Sequence, residues 1–271
     1  MVSVVAILSV PHESFAQSCA DSICWQSAFQ WRFAMKLRPD WTPRRCPGRY
    51  GIPDLSCDKG VQIVIVGDSI VSGVGDERFG NAGGGYVTRI KQLLPRVTFS
   101  GFGTPGQSSE QLYKKVKSSI AQSSPTETLG KALVDADVII LDIGRNDWFE
   151  FFRLDDPPSL PTYTRLRRLQ SHLSTRLTLL TGRTPLVILS QLLLPNRGGQ
   201  GPWVQEINER LSQTSTPYLP ANLPFDTVSK RLYNSDRLHP TAAGYDEVAA
   251  VLRTYLTQTV PQMWEKIRSR R

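Results

Sequence analysis

A chain of 271 residues with 40% hydrophobic and 21% charged content holds enough apolar side chains to bury the core of one large domain plus a short appendage, and it reads as globular. No apolar run approaches the roughly 20 residues that a membrane-crossing helix needs. The formal charge of +8 gathers on "TRLRRLQSHLSTRLTLLTGR" and on the tail "EKIRSRR"; no nucleic-acid motif accompanies it, so it reads as a solvated face that leaves room for peripheral contact with anionic surfaces.

The first segment, Met1–Ala16, contains the longest apolar run, Val2 to Val10. Its length suits the core of a signal peptide, and Ser14 and Ala16 supply small residues three and one before a cleavage point. The segment carries no Lys or Arg, and a short helix is the competing reading. A cleaved leader implies a secreted or periplasmic protein; without cleavage the location is cytoplasmic.

All four cysteines, Cys19, Cys24, Cys46 and Cys57, follow within residues 17–57. An even, clustered count after a leader reads as two disulfides, and three pairings are open. A zinc site fits poorly, since no Cys-x-x-Cys occurs and no His accompanies the cluster.

From residue 58 to 259 short β-branched runs alternate with amphipathic stretches, the pattern of βαβ units and a parallel sheet. Expected strands are 61–66, 97–102, 137–143, 185–191 and 216–222, with apolar runs that fit burial on both faces. Expected helices are 86–94, 109–122, 163–181, 203–213 and 241–257. In the second of these, Leu112, Val116 and Ile120 recur at four-residue steps and form one face. Residues 260–271 form a basic tail. In such sheets ligands bind beyond the carboxyl ends of the strands, so polar residues just after strands are the candidates for chemistry.

Four stretches meet that condition or can reach it. "GDSIVSG" places Ser69 two residues beyond the first strand. Gly, Asp and Ser also build ordinary turns, so this corner is either a turn or a presented nucleophile. "FGTPGQSS" follows the second strand, and Gly106 there can offer a backbone N–H at close approach. "GRND" follows the third strand, where Asn146 can aim its amide into the crevice as an oxyanion donor, although turns favour the same residues.

The supply of bases is small, with three histidines in all. His12 lies in the leader and His172 falls in a helix among Arg and Thr. His239 stands in "DRLHPTAAGY", three residues after Asp236. That spacing lets a carboxylate orient one ring nitrogen while the other faces a serine; decoration of a helix start is the bland alternative.

In sequence order these four stretches resemble the four blocks of the SGNH, or GDSL-like, hydrolases, over about residues 61–257. The resemblance implies an α/β fold: a three-layer α/β/α, flavodoxin-like domain whose five-stranded parallel sheet has the order 2-1-3-4-5, here behind a short Cys-containing N-terminal extension. It further implies hydrolysis of esters through an acyl-serine, with Ser69 as nucleophile, His239 as base and Asp236 orienting it. The oxyanion hole would comprise the N–H groups of Ser69 and Gly106 and the Asn146 side chain.

Ile70 stands where the GDSL name has leucine, Phe102 where many members have Asn, and Gln107 where Asp is common. No metal or organic cofactor is implied, and a monomer is expected. Substrates in view are small-molecule esters, lipid or lysophospholipid esters and O-acetylated glycans. "DWFEFF" follows Asn146 at once, and Trp148, Phe149 and Phe152 are candidates for a substrate wall, with core packing as the alternative.

An O-acyltransferase with the same triad and a catalytically inactive carbohydrate- or lipid-binding module are the alternative functions.

Overall fold

The computed structural model describes residues 61–79, 84–95, 97–121, 128–151, 159–182, 184–193, 200–214, 218–219 and 232–259. The leader Met1–Ala16, the four cysteines, His12, Phe152 and the basic tail lie outside the described residues.

Five strands form one sheet: β1 (Gln62–Gly67), β2 (Thr98–Gly103), β3 (Val138–Asp142), β4 (Leu186–Ser190) and β5 (Tyr218–Leu219), in the order β2-β1-β3-β4-β5. Every neighbouring pair is parallel, with Ile65 of β1 in register with Gly101 of β2 and Ile140 of β3. The fold class and strand order are those expected from the sequence.

Eight α-helices join or flank these strands among the described residues: α1 (Ser69–Ser72), α2 (Gly85–Leu93), α3 (Ser109–Ser119), α4 (Thr128–Asp135), α5 (Trp148–Phe151), α6 (Leu160–Thr181), α7 (Gln200–Ser212) and α8 (Ala242–Thr254). Single turns of tighter helix cover Glu77–Phe79 and Arg145–Asp147.

The near-continuous apolar strands have a simple cause: successive side chains point to opposite faces, and both faces are covered. Ile63, Ile65, Ile140 and Ile188 pack under α2 and α8 through Tyr86, Ile90, Tyr245 and Leu252. Val64, Val66, Ile139, Leu141 and Leu189 pack against α3, α4, α6 and α7 on the other side. Each such side chain contributes about 1.5–3 kcal/mol relative to exposure, so the two layers hold the strand ends in fixed relation.

Local signals start the helices as the residues dictate. Ser108 caps α3 through the Gln111 N–H, and the Gln111 side chain accepts the Ser108 N–H in return, a reciprocal capping box. Thr241 caps α8 by accepting the Gly244 N–H at 3.2 Å.

Of the expected fifth strand, 216–222, the described residues Tyr218–Leu219 pair with β4, and the rest of that run lies outside the described residues. One difference from the sequence reading has a physical reason. Helix α4 was not anticipated, because Gly130 interrupts an eight-residue segment and weakens its helical signal; Leu129 and Leu133 nonetheless face the core.

Candidate active site

The chain leaves β1 at Gly67 and turns at once into α1. Asp68 is the N-cap, with its Oδ1 accepting the Ile70 N–H at 3.0 Å. Ser69 is therefore the first residue of the helix, a position whose N–H has no intrahelical acceptor. The corner is a turn that sets the Ser69 side chain at the start of α1.

From the far end of the chain, residues 232–241 fold back to meet it. Tyr233 bridges to Pro240, and the Thr241 N–H donates to the Leu232 carbonyl at 2.9 Å. Within this loop Asp236 Oδ1 accepts the N–H groups of Leu238 and His239 at 2.9 and 3.0 Å. Its Oδ2 lies 2.6 Å from His239 Nδ1, and His239 Nε2 lies 2.8 Å from Ser69 Oγ. Arg237 is held at φ +57°, a left-handed conformation that costs a non-glycine residue about 1–3 kcal/mol and that the hydrogen bonds to Asp236 sustain.

Partial burial pushes the Asp236 carboxyl upward, but the bonds from the His239 ring and from the His239 and Leu238 N–H groups outweigh it. The net result holds the carboxyl below its ordinary range. It stays an acceptor opposite Nδ1–H, which leaves Nε2 free to accept from the serine hydroxyl.

Two further loops close on the same end of the sheet. After β2, Thr104-Pro105-Gly106-Gln107 forms a turn closed by the Gln107 N–H donating to the Thr104 carbonyl at 3.1 Å. Gly106 takes φ +75° there, as a turn with Pro second and Gly third requires. Gly106 is exposed, with open space around it. After β3, Asn146 Nδ2 donates to the Gln107 carbonyl at 3.0 Å, which spends one amide hydrogen on tying the two loops together.

Asp147 fastens the same loop from below. It accepts the Ser109 N–H at 2.7 Å, the Ser109 hydroxyl, and the Thr162 hydroxyl at 3.2 Å. Burial raises its pKa above the ordinary carboxylate value, with the Ser109 bonds opposing.

A family model described as GDSL-like lipase/acylhydrolase matches residues 65–247, the span that holds all four loops. The chain belongs to the GDSL-like lipase/acylhydrolase family. Membership makes it a hydrolase of the lipase and esterase kind. No curated protein matches the sequence.

Solved structures share the fold of this GDSL-like hydrolase at low identity. A lipase from a goat rumen metagenome is 20% identical, with 72% of this chain and 96% of that one covered at a TM-score of 0.56. A GDSL-like lipase from Bacteroides thetaiotaomicron is 15% identical, with 86% and 99% covered at 0.51. A psychrotrophic esterase from Pseudoalteromonas is 12% identical, with 73% and 98% covered at 0.51.

Beneath the serine of this GDSL-like hydrolase lies a charge cluster that sequence reasoning missed. Arg145 reaches Asp68 Oδ2 at 3.1 Å and Asp142 Oδ1 at 2.5 Å, and the Tyr86 hydroxyl donates to Asp142 Oδ2 at 2.9 Å. All four side chains are buried. Burial raises the Asp68 pKa, Arg145 opposes this and Asp142 adds to it. Burial alone would lower the guanidinium pKa, and the two carboxylates more than reverse the effect. Acids closing the apolar strands "VQIVIVGD" and "DVIILD" were the available signal.

Arg145→Met should destabilise the fold by about 3–5 kcal/mol, because two buried carboxylates would face each other without a cation. Urea denaturation reads this as a lower midpoint at unchanged slope.

The aromatic stretch divides. Trp148 packs edge-on to Trp203 with ring centroids 5.6 Å apart, against the core layer of α7. Phe149 is 49% exposed. His172 sets its ring edge-on to Tyr113, away from the serine loop, and burial pushes its pKa down, with Lys117 and Arg176 adding to this. Among the described residues no group of three or more His, Cys, Asp or Glu side chains could hold a metal ion.

Proposed function

We propose that the protein hydrolyses carboxylic esters, of lipid, lysophospholipid or O-acetyl type, through an acyl-serine intermediate. The observation that carries this reading is the continuous line from Asp236 Oδ2 through the His239 ring to Ser69 Oγ, at 2.6 and 2.8 Å.

In the proposed cycle Ser69 Oγ attacks the ester carbonyl carbon as its proton passes to His239 Nε2. Asp236 stabilises the imidazolium and keeps its tautomer. The carbonyl oxygen becomes an oxyanion, held by the N–H groups of Ser69 and Gly106 and by the second hydrogen of the Asn146 amide. The C–O bond to the alcohol breaks, and His239 returns its proton to the leaving oxygen. Water then attacks the acyl-serine by the same route, releasing the acid and restoring the hydroxyl.

A series of p-nitrophenyl esters of increasing acyl length, assayed on the wild-type chain with Ser69→Ala alongside, tests the proposal. Turnover that disappears in the variant supports it. Equal turnover by both would remove the serine from the chemistry, and ester formation on an added alcohol with little free acid would favour acyl transfer. Silence on every ester would favour a binding module.

Asn146→Ala should lower kcat by about a hundred- to a thousandfold with little change in KM, since its donor is needed where negative charge develops. A rise in KM at unchanged kcat would instead assign Asn146 to ground-state binding.

A further inference from the structure

Asp236 and His239 form their pair on a loop that faces solvent, with side-chain exposures of 46% and 15%. The serine they serve is buried at the start of α1. Besides the His239 ring itself, the Asn234 side chain crosses from this loop to the backbone that follows the serine. Asn234 Nδ2 donates to the Gly75 carbonyl at 2.9 Å and to the Pro240 carbonyl at 3.0 Å, with the His239 carbonyl at 3.3 Å. Its backbone N–H donates to the His239 carbonyl at 2.9 Å.

Gly75 belongs to the strap that leaves α1, in which the Val74 N–H bonds the Ser69 carbonyl at 3.0 Å. Gly75 holds φ +89°, and a Cβ there would run into Asn234 Nδ2 and His239 Cβ. The strap thus approaches the histidine loop as closely as a glycine backbone allows, and it presents a carbonyl at the point of approach.

The geometry points to Asn234 as the positioning residue that holds His239 Nε2 at hydrogen-bond distance from Ser69 Oγ, an assignment that rests on the acyl-serine reading above. Its neighbours at this seam fasten a different place. Tyr245 donates to the Val74 carbonyl at 2.7 Å, and Glu77 accepts the Ala242 N–H at 2.9 Å. Both hold α8 and not the loop that carries the imidazole. Without the Asn234 amide the ends of the loop stay anchored by buried Leu232 and Tyr233, by the Tyr233–Pro240 bridge and by α8, while the tip between them, which carries the imidazole, loses its tie to the strap and gains freedom to shift.

The chemistry demands a donor. Gly75, His239 and Pro240 present only carbonyl oxygens, and an amide supplies two hydrogens to them. Aspartate has the same shape but, ionised, only accepts, so it would set a carboxylate against three carbonyls. Alanine removes the group. Serine keeps one donor on a shorter arm.

The test uses the full chain with Asn234→Asp, Asn234→Ala, Asn234→Ser and, as the control at the same seam, Tyr245→Phe. Turnover is measured on p-nitrophenyl acetate, and reactive serines are counted by titration with an organophosphonate ester. The expected result is a loss of about a hundredfold in kcat per titrated site for the Asp and Ala variants, the size expected of a misplacement on the order of 1 Å.

KM should stay within about threefold and the fraction of titratable chains near wild type, with Asn234→Ser between Ala and wild type and Tyr245→Phe within about twofold of wild type. A purely structural role would lower the number of titratable sites and leave turnover per site intact. Turnover per site within about threefold of wild type for both Asp and Ala variants, or an equal loss in Tyr245→Phe, would overturn the assignment.

A second reading needs no turnover. The His239 Hε1 proton resonance should move when Ser69 is replaced by Ala in the wild-type background and stay put in the Asn234→Asp background, where the two groups are no longer in contact. Equal movement in both backgrounds overturns the assignment. A wild-type chain that neither titrates with the phosphonate nor depends on Ser69 for activity defeats the acyl-serine reading, and the resonance still decides Asn234.

Discussion

Ser69→Ala is expected to lower kcat on any ester the wild-type chain hydrolyses by about a millionfold, and His239→Ala by about as much. The reason lies in the 2.8 Å contact between Oγ and Nε2. A serine hydroxyl is a weak nucleophile until a base takes its proton, so the two groups act as one, and removing either removes the same step. The double variant should therefore be no slower than either single variant.

On the proposed mechanism what should remain is the action of the oxyanion donors on bound ester and water, a residual of about a thousand- to ten-thousandfold over the uncatalysed rate. The fold should scarcely notice the Ser69 change, because α1 is capped through Asp68 and not through the serine hydroxyl. Rates for both single variants and the double variant, with thermal melts beside them, decide the matter. Losses that multiply in the double variant would mean that Ser69 and His239 act independently, and the relay would have to be abandoned.

The residues of the candidate site were legible in the sequence because their signals are local. Each of Ser69, Asn146 and the Asp236–His239 pair sits in a short polar motif beside an apolar run or a helix start, and a spacing of three residues is enough to set a carboxylate against an imidazole. The strands were legible for the same reason, since β1, β3 and β4 each hold an unbroken apolar run, Ile63–Val66, Val138–Leu141 and Leu186–Leu189.

Arg145 and Asn234 were not legible, because their roles depend on convergence. Asn234 reaches a carbonyl 159 residues away, and Arg145 joins Asp68, 77 residues away, to Asp142. Nothing in the letters "GRND" or "YNSD" distinguishes those side chains from solvated ones; only the closure of the sheet brings their partners within reach. The buried pair Asp76–Arg89 escaped for a related reason: the partners of Arg89, namely Asp76, Asp246 and the Ala242 carbonyl, come from outside its own helix.

Asp236→Asn should cost about ten-thousandfold in kcat while leaving the loop folded. The asparagine oxygen can still accept the Leu238 and His239 N–H groups that shape the turn. Its NH₂, however, would face His239 Nδ1 and donate to it, so the neutral ring would carry its proton on Nε2 and could no longer accept from Ser69 Oγ. The loss falls on kcat because the substrate is not touched.

A stability measurement on the same variant separates charge from tautomer. The folded Asp236 carboxyl titrates below its unfolded value of about 3.9, so between the two values the unfolded chain binds more protons and stability rises with pH. The wild-type advantage over Asp236→Asn is then complete above about pH 4 and closes as pH falls through the depressed folded value. That advantage should be small, since the side chain is 46% exposed and water screens it. A large kinetic defect beside a small, acid-limited stability defect is the signature of a carboxylate whose main task is to fix which imidazole nitrogen carries the proton; comparable defects in both would make Asp236 a structural anchor of the loop.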